Sequence, residues 1–176
     1  MILGLVAAKE NSNRFPGKNK YILDGKPLFW YSVEPLLQSE LIDDLYVVTD
    51  SEFIQNYCLE RNVKTIWRPK NATRDEDKLI NILRFAYYSL EIEYEIVVSI
   101  MANCPNHDVK EIDKGINLLK ANNLNEVRSY NNGTESGLLI FNKFVMQNNF
   151  DISYYVGSVD TKATEIHFLD DLNNNK

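Results

Sequence analysis

The chain has 176 residues, a formal charge of −6, 44% hydrophobic and 25% charged residues, which is the profile of an ordinary globular domain long enough to bury a core. The acidic balance argues against general binding to nucleic acid or to an anionic membrane surface. The two cysteines, Cys58 and Cys104, lack metal-site spacing and suit free thiols in a reducing compartment.

The first element is an apolar run, Ile2 to Ala8, bounded by a polar stretch containing Pro16 and Gly17. It reads as a buried parallel strand ending in a long loop, too short for a membrane span and without the basic n-region or cleavage pattern of a signal peptide. The expectation is therefore one cytoplasmic domain, residues 1–176, with no membrane or nucleic-acid partner. Helical spacing follows over 27–39, a strand over 44–49 and a helix over 52–61 that Ser51 caps. A strand over 64–67 and a helix over 75–90 come next. Leu79, Ile82, Leu83, Ala86 and Leu90 recur there at helical spacing and read as a core stripe rather than a cofactor box. A strand over 95–100 precedes a helix over 109–122, whose start at Asp108 and Glu111 has the form of a capping box. Strands over 126–130, 137–142, 153–157 and 164–168 and a short helix over 143–149 complete the chain, with the last residues, 173–176, fraying. The alternation predicts an α/β fold, a three-layer α/β/α sandwich on a mainly parallel, Rossmann-like sheet. Ligands of such sheets bind over the carboxyl ends of the strands.

The loop after the first strand is where function is most legible. Between Lys9 and Lys26 stand five cations (Lys9, Arg14, Lys18, Lys20, Lys26) and two anions (Glu10, Asp24), against the charge of the whole chain. Asn11, Ser12 and Asn13 tolerate turn conformations and Gly17 allows close backbone approach, so loop amides can converge on phosphate oxygens while Lys18 supplies charge. A Walker loop is excluded by Ser12 and Asn19, and no GxGxxG follows the strand. The alternative is a solvated basic loop closing a strand-to-helix connection.

Ala8 to Asn19, AKENSNRFPGKN, followed by Gly25-Lys26-Pro27-Leu28 and Tyr31-Ser32-Val33-Glu34, resembles the opening of the CMP-sialic acid synthetases (acylneuraminate cytidylyltransferases). Their pattern there is A-R-x-x-S-x-x-x-x-x-K-N and then G-K-P-L-x-x-Y-[ST]-[IV]-E, with Lys9 standing in the Arg position. The ketodeoxyoctulosonate cytidylyltransferases share R-x-P-G-K more loosely. Tyr46 to Glu52 resembles V-x-V-S-T-D-S-E, where Asp50 reads as a turn and cap residue. Arg68-Pro69 with Ala72 and Asp75 resembles R-P-x-x-L-A-x-D, although just beyond, at that wall of the implied pocket, Asp77 and Leu79 replace small residues. Pro69 holds Arg68 extended at a strand end.

The resemblance implies a cytidylyltransferase that moves CMP from CTP to a nonulosonic, sialic-acid-like sugar acid and releases pyrophosphate, as in polysaccharide biosynthesis. It implies Lys9, Arg14 and Lys18 on the phosphates, with Asn11, Ser12 and the loop amides beside them and Lys9 and Lys18 in catalytic positions. It places Ala8, Asn19 and Arg68 at the base or ribose. Met101 to His107 aligns with Q-P-T-S-P-L-R, so Met101 and His107 fall on the acceptor side; a Met reads neither hydroxyl nor carboxylate, and His107 also suits a solvated loop or cap. Glu165-Ile166-His167 with Asp170-Asp171-Leu172 resembles D-I-D-T-x-E-D-[LF], whose two Asp residues bind magnesium. On a strand Glu165 and His167 would share a face and hold Mg2+, or a site retuned toward Mn2+; an exposed edge strand gives the same alternation. The family's dimerisation arm has only Asn131 to Ser136 in its place, which leaves a homodimer open. Two further readings stand beside this one: a nucleotide-binding relative without catalysis, and a transferase acting on a sugar or polyol phosphate.

Overall fold

The computed structural model describes residues 1–12, 14–69, 78–148 and 155–173. Asn13, Ala72, Asp75 and Asp77 lie outside the described residues, as do the start of the helix expected from 75, the first two residues of the strand expected over 153–157 and the last three of the chain.

In chain order the elements are β1 (Ile2–Ala7), a 3-10 turn (Lys18–Lys20), β2 (Ile22–Leu23), β3 (Lys26–Pro27), α1 (Trp30–Gln38), β4 (Asp44–Thr49), α2 (Glu52–Leu59) and β5 (Lys64–Trp67). There follow α3 (Leu79–Ser89), β6 (Ile96–Ile100), α4 (Val109–Ala121), β7 (Glu126–Asn131), β8 (Thr134–Asn142), α5 (Lys143–Gln147), β9 (Val156–Asp160) and a second 3-10 turn (Leu169–Asn173). The large sheet has seven strands in the order β5-β4-β1-β6-β8-β7-β9. β1 pairs parallel with β4 and with β6, and β4 with β5; β8 runs antiparallel between β6 and β7, and β9 pairs parallel with β7.

β1 shows why the sheet is covered on both faces. Its residues alternate sides, so Ile2 and Val6 join a core with Val33 and Leu36 of α1, Ile54 and Cys58 of α2 and Ile112 and Ile116 of α4. Leu3 and Leu5 join another with Leu83, Ala86 and Tyr87 of α3 and Val145 and Met146 of α5. Burying each such Leu, Ile or Val stabilises by roughly 1.5–3 kcal/mol, so an apolar run with both faces covered is the strand that organises the fold. The expected mainly parallel α/β/α sandwich is the architecture observed. No helix among the described residues is long and apolar enough to cross a membrane.

Local signals set the element ends. The Ser51 side chain accepts from the Ile54 amide at the start of α2, and Asp108 and Glu111 form the full capping box of α4. Asn132 (φ 49°) and Gly133 (φ 82°) make the two-residue turn between β7 and β8, both with the positive φ that a type I′ hairpin needs. The strand expected over 164–168 is absent: residues 161–168 carry no strand, and β9 lies further back. The reason is tertiary. Ile166 is fully buried in a small cluster with Leu28, Phe15 and Leu23, and its amide donates to the Asn103 carbonyl at 2.7 Å rather than to a ladder.

Candidate functional site

β1 has β4 on one side and β6 on the other, and the chain crosses over it between β5 and β6, so the strand order reverses there. A cavity of about 190 Å³ opens at the carboxyl ends of these strands, where open α/β sheets bind ligands. Ala7, Lys9, Ser12, Lys18 and Asn19 line it from the first loop, Arg68 from the end of β5, Leu79 and Ile82 from α3, and Met101, Ala102 and Asn103 from the end of β6.

The loop is built by short-range geometry. Gly17 adopts φ 70°, which a Cβ would strain, and lets the chain turn into the 3-10 segment that begins with Lys18. Buried Asn19 donates to the Lys9 carbonyl at 2.9 Å and accepts from the Phe29 amide at 3.1 Å, tying both ends of the loop to the start of α1. Lys20 pairs with Glu10, and Lys26 bonds both oxygens of Glu34 at 2.7 Å. Lys18 instead donates to the Ile166 carbonyl at 2.8 Å. Desolvation lowers the pKa of its ammonium from the ordinary value, ahead of the opposing pull of Cys104 and Glu165.

Arg68 is the buried cation of the site. Its amide donates to the Thr49 carbonyl at 2.8 Å, its guanidinium lies 3.6 Å from Asp50 Oδ2, and the residue is 7% exposed. Its Nε is buried and has no hydrogen-bond partner among the described residues. Asp50 Oδ1 meanwhile accepts from the Glu10 amide at 2.7 Å. Of the residues expected at the nucleotide, the cavity gathers Lys9, Ser12, Lys18, Asn19 and Arg68. Ala8 is buried beneath it, with its amide bonded to the Val48 carbonyl; Asn11 and Arg14 are exposed and do not line it. Arg14 reaches the tail, with Nη1 3.4 Å from His167 Nδ1.

Met101 lines the cavity, but His107 does not. The His107 side chain is wholly enclosed, its Nε2 lies 2.8 Å from the Ser136 carbonyl, and its Nδ1 is unpartnered at 3.7 Å from Glu111. The carbonyl accepts, so Nε2 carries the proton. Burial pushes its pKa down to about 4, so the ring is neutral at pH 7. The unfolded chain takes up this proton near pH 6.5 while the folded chain resists until about 4, so stability falls as pH falls through that window. The full effect is about 3 kcal/mol, of which about 2 appears by pH 5. Glu111, pushed up by burial, titrates with the opposite sign. His107→Gln is therefore the control: urea midpoints at pH 7 and 5 should differ by about 2 kcal/mol less in the variant than in wild type. Equal differences would remove His107 as the cause.

Glu165 and His167 lie beside the site without a strand to align them. His167 Nε2 is 3.0 Å from Glu165 Oε2, and Asp171 accepts from the His167 and Phe168 amides at 2.7 and 2.8 Å. Since Arg14 is only a donor, His167 Nδ1 is the acceptor and Nε2 holds the proton toward Glu165. No group of three or more His, Cys, Asp or Glu side chains able to hold a metal occurs among the described residues. Glu165 supplies one carboxylate there, which suits a divalent cation only together with ligand oxygens. Asn103 and Ile82 were not expected at the site, whereas Leu79 was expected at its wall, in place of a small residue. Asn103 Nδ2 donates to the Ile166 carbonyl that Lys18 also uses, a non-local contact no local pattern signals. Leu79 and Ile82 carry the expected core stripe to the cavity wall.

A family profile described as cytidylyltransferase matches residues 3–163. Over 96 residues the chain is 28% identical to the N-acylneuraminate cytidylyltransferase of Streptococcus agalactiae serotype V, covering 53% of this chain and 23% of that protein. Over 123 residues it is 26% identical to the CMP-N,N'-diacetyllegionaminic acid synthase of Legionella pneumophila, covering 68% and 53%. The chain thus spans little more than half, or less, of these curated relatives. In fold it is similar to CMP:2-keto-3-deoxy-manno-octonic acid synthetase complexed with CTP, at TM-score 0.83 and 14% identity over 99% of this chain and 96% of that one.

Proposed function

The chain belongs to the cytidylyltransferase family, and on that premise we propose that it transfers a cytidylyl group from CTP to a sugar acid of the nonulosonic type. The observation that carries this reading is Arg68, a largely buried guanidinium lining a cavity that also holds Lys9, Ser12, Lys18 and Asn19. Two neighbouring N–H groups of a guanidinium match the adjacent O2 and N3 acceptors of cytosine, whereas uracil presents a donor at N3. Asn19, with Ala8 beneath it, completes the base and ribose side. Lys9, Lys18, Ser12 and the loop amides about Asn11 hold the phosphates, and exposed Arg14 closes on them from the rim.

In this chemistry the acceptor oxygen attacks the α-phosphorus, the bond to the bridging oxygen breaks and pyrophosphate leaves. The protein's part is to align the groups and neutralise charge. Glu165 would hold a divalent cation, magnesium or manganese, together with phosphate oxygens; when bound it supplies further charge neutralisation. Met101 faces the acceptor, while enclosed His107 holds the Ser136 carbonyl and does not line the cavity.

A second reading, nucleotide binding without turnover, is favoured by the Glu165–His167 pair, which leaves a single carboxylate. A thermal-shift panel tests binding. CTP at about a hundred times its Kd adds roughly 2.7 kcal/mol, about 5–10 °C in Tm, and UTP, ATP and GTP add less. Equal shifts for all four overturn the cytidylyl assignment. Pyrophosphate release with a nonulosonic acid, ketodeoxyoctulosonate and sugar or polyol phosphates then separates the acceptor classes, and binding without release establishes the second reading.

A further inference from the structure

Asp50 touches two separate arms of the cavity at once. Its Oδ1 accepts from the Glu10 amide at 2.7 Å, inside the first loop between Lys9 and Asn11, and its Oδ2 lies 3.6 Å from Arg68 Nη2 beyond β5. The two arms are 58 residues apart in sequence between positions 10 and 68, and both leave the sheet beside β4, the strand that Asp50 ends. The Arg68 side chain is 9% exposed and that of Asp50 11%, so the pair is largely shielded from water. A shielded guanidinium needs a countercharge, and a loop amide at the mouth of a cavity needs an acceptor.

We propose that Asp50 is a positioning residue that braces the phosphate loop against Arg68 and presets the distance between them before nucleotide arrives. The proposal rests on the nucleotide reading of the cavity and goes beyond a helix-capping role, which Ser51 already fills. With one oxygen given to each arm, Asp50 touches no substrate itself. It fixes the guanidinium of a residue that lines the cavity, and it fixes the backbone that carries Lys9.

Asp50→Asn leaves an oxygen for the Glu10 amide and sets an amide NH2 against the guanidinium, so it breaks only the Arg68 arm. CTP titrations of wild type, Asp50→Asn, Arg68→Gln and the double variant, with Tm measured for each, form the test. Asp50→Asn is expected to weaken CTP roughly tenfold in the wild-type background and less than about twofold when Arg68 is already Gln, because the two residues act as a unit. Amide exchange reads the other arm without ligand: Asp50→Ala, but not Asp50→Asn, is expected to speed exchange at Glu10. Equal losses in both backgrounds, or an Asp50→Asn variant that binds CTP as wild type does, overturn the brace. Wild-type protein that does not bind CTP overturns the nucleotide reading instead.

Discussion

Lys18→Ala is expected to weaken CTP binding roughly 10- to 150-fold, the loss of a charge-assisted contact in a partly desolvated site, while Lys20→Ala and Lys26→Ala change it less than about threefold. All three lysines belong to the same basic stretch, so net charge does not distinguish them. Their partners do. Lys20 is neutralised by Glu10 and Lys26 by Glu34, so neither ammonium has its charge to spare. Lys18 gives its hydrogen bond to a neutral carbonyl, faces the cavity, and is held below its ordinary pKa by desolvation. The negative charge of an arriving phosphate offsets that desolvation penalty, so binding raises the Lys18 pKa and CTP affinity falls as pH rises toward the lowered value. Isothermal titration of the three alanine variants measures the difference. Because Lys18→Ala also releases the Ile166 carbonyl, Lys18→Met, which keeps the stem, accompanies it. If both bind CTP as wild type does, the loop is only a solvated basic surface.

The contrast among these lysines also shows how far sequence reaches. The loop was legible because its information is local: Gly17 at positive φ, small polar residues, and cations in register with a helix start all lie within a few residues of one another. The sheet was legible for a related reason, since runs such as Ile2 to Ala7 and Ile96 to Ile100 are apolar on both faces and fit only a strand covered on both sides. What escaped depends on contacts between distant segments. Ile166 alternates with polar neighbours as a strand residue would, and nothing nearby announces that it packs against Leu28 and pairs with Asn103 instead of extending a strand. The α3 stripe told which residues are apolar but not that Ile82 joins Leu79 in walling the cavity. Arg14 and His167 meet across 153 residues, a pairing that loop composition alone does not encode. The two-residue ladder of β2 and β3 is shorter than any periodicity can register.

Glu165→Ala is expected to lower pyrophosphate release at least about 100-fold while leaving metal-free CTP binding within about threefold, because charge neutralisation by a bound cation contributes several kcal/mol to the transition state and little to ground-state contacts with the base. Glu165 lies at this corner of the site, where Asp171 is taken up by the His167 and Phe168 amides, and its neighbour His167 presents Nε2 to it with a proton attached. For that nitrogen to offer a lone pair, the proton must move to Nδ1, where it meets the guanidinium of Arg14. Arg14 is exposed, so releasing this contact costs little and frees it to approach phosphate oxygens. An imidazole then joins one carboxylate, a mixed donor set that favours manganese over magnesium. Pyrophosphate release is therefore expected to be faster with manganese, and His167→Ala to abolish that preference while Glu165→Ala abolishes turnover with either metal. A His167→Ala variant that keeps the manganese preference would show that His167 only orients Glu165. A wild-type protein that binds CTP but releases no pyrophosphate with either metal, across sugar-acid and sugar-phosphate acceptors, would establish that the single carboxylate no longer supports catalysis.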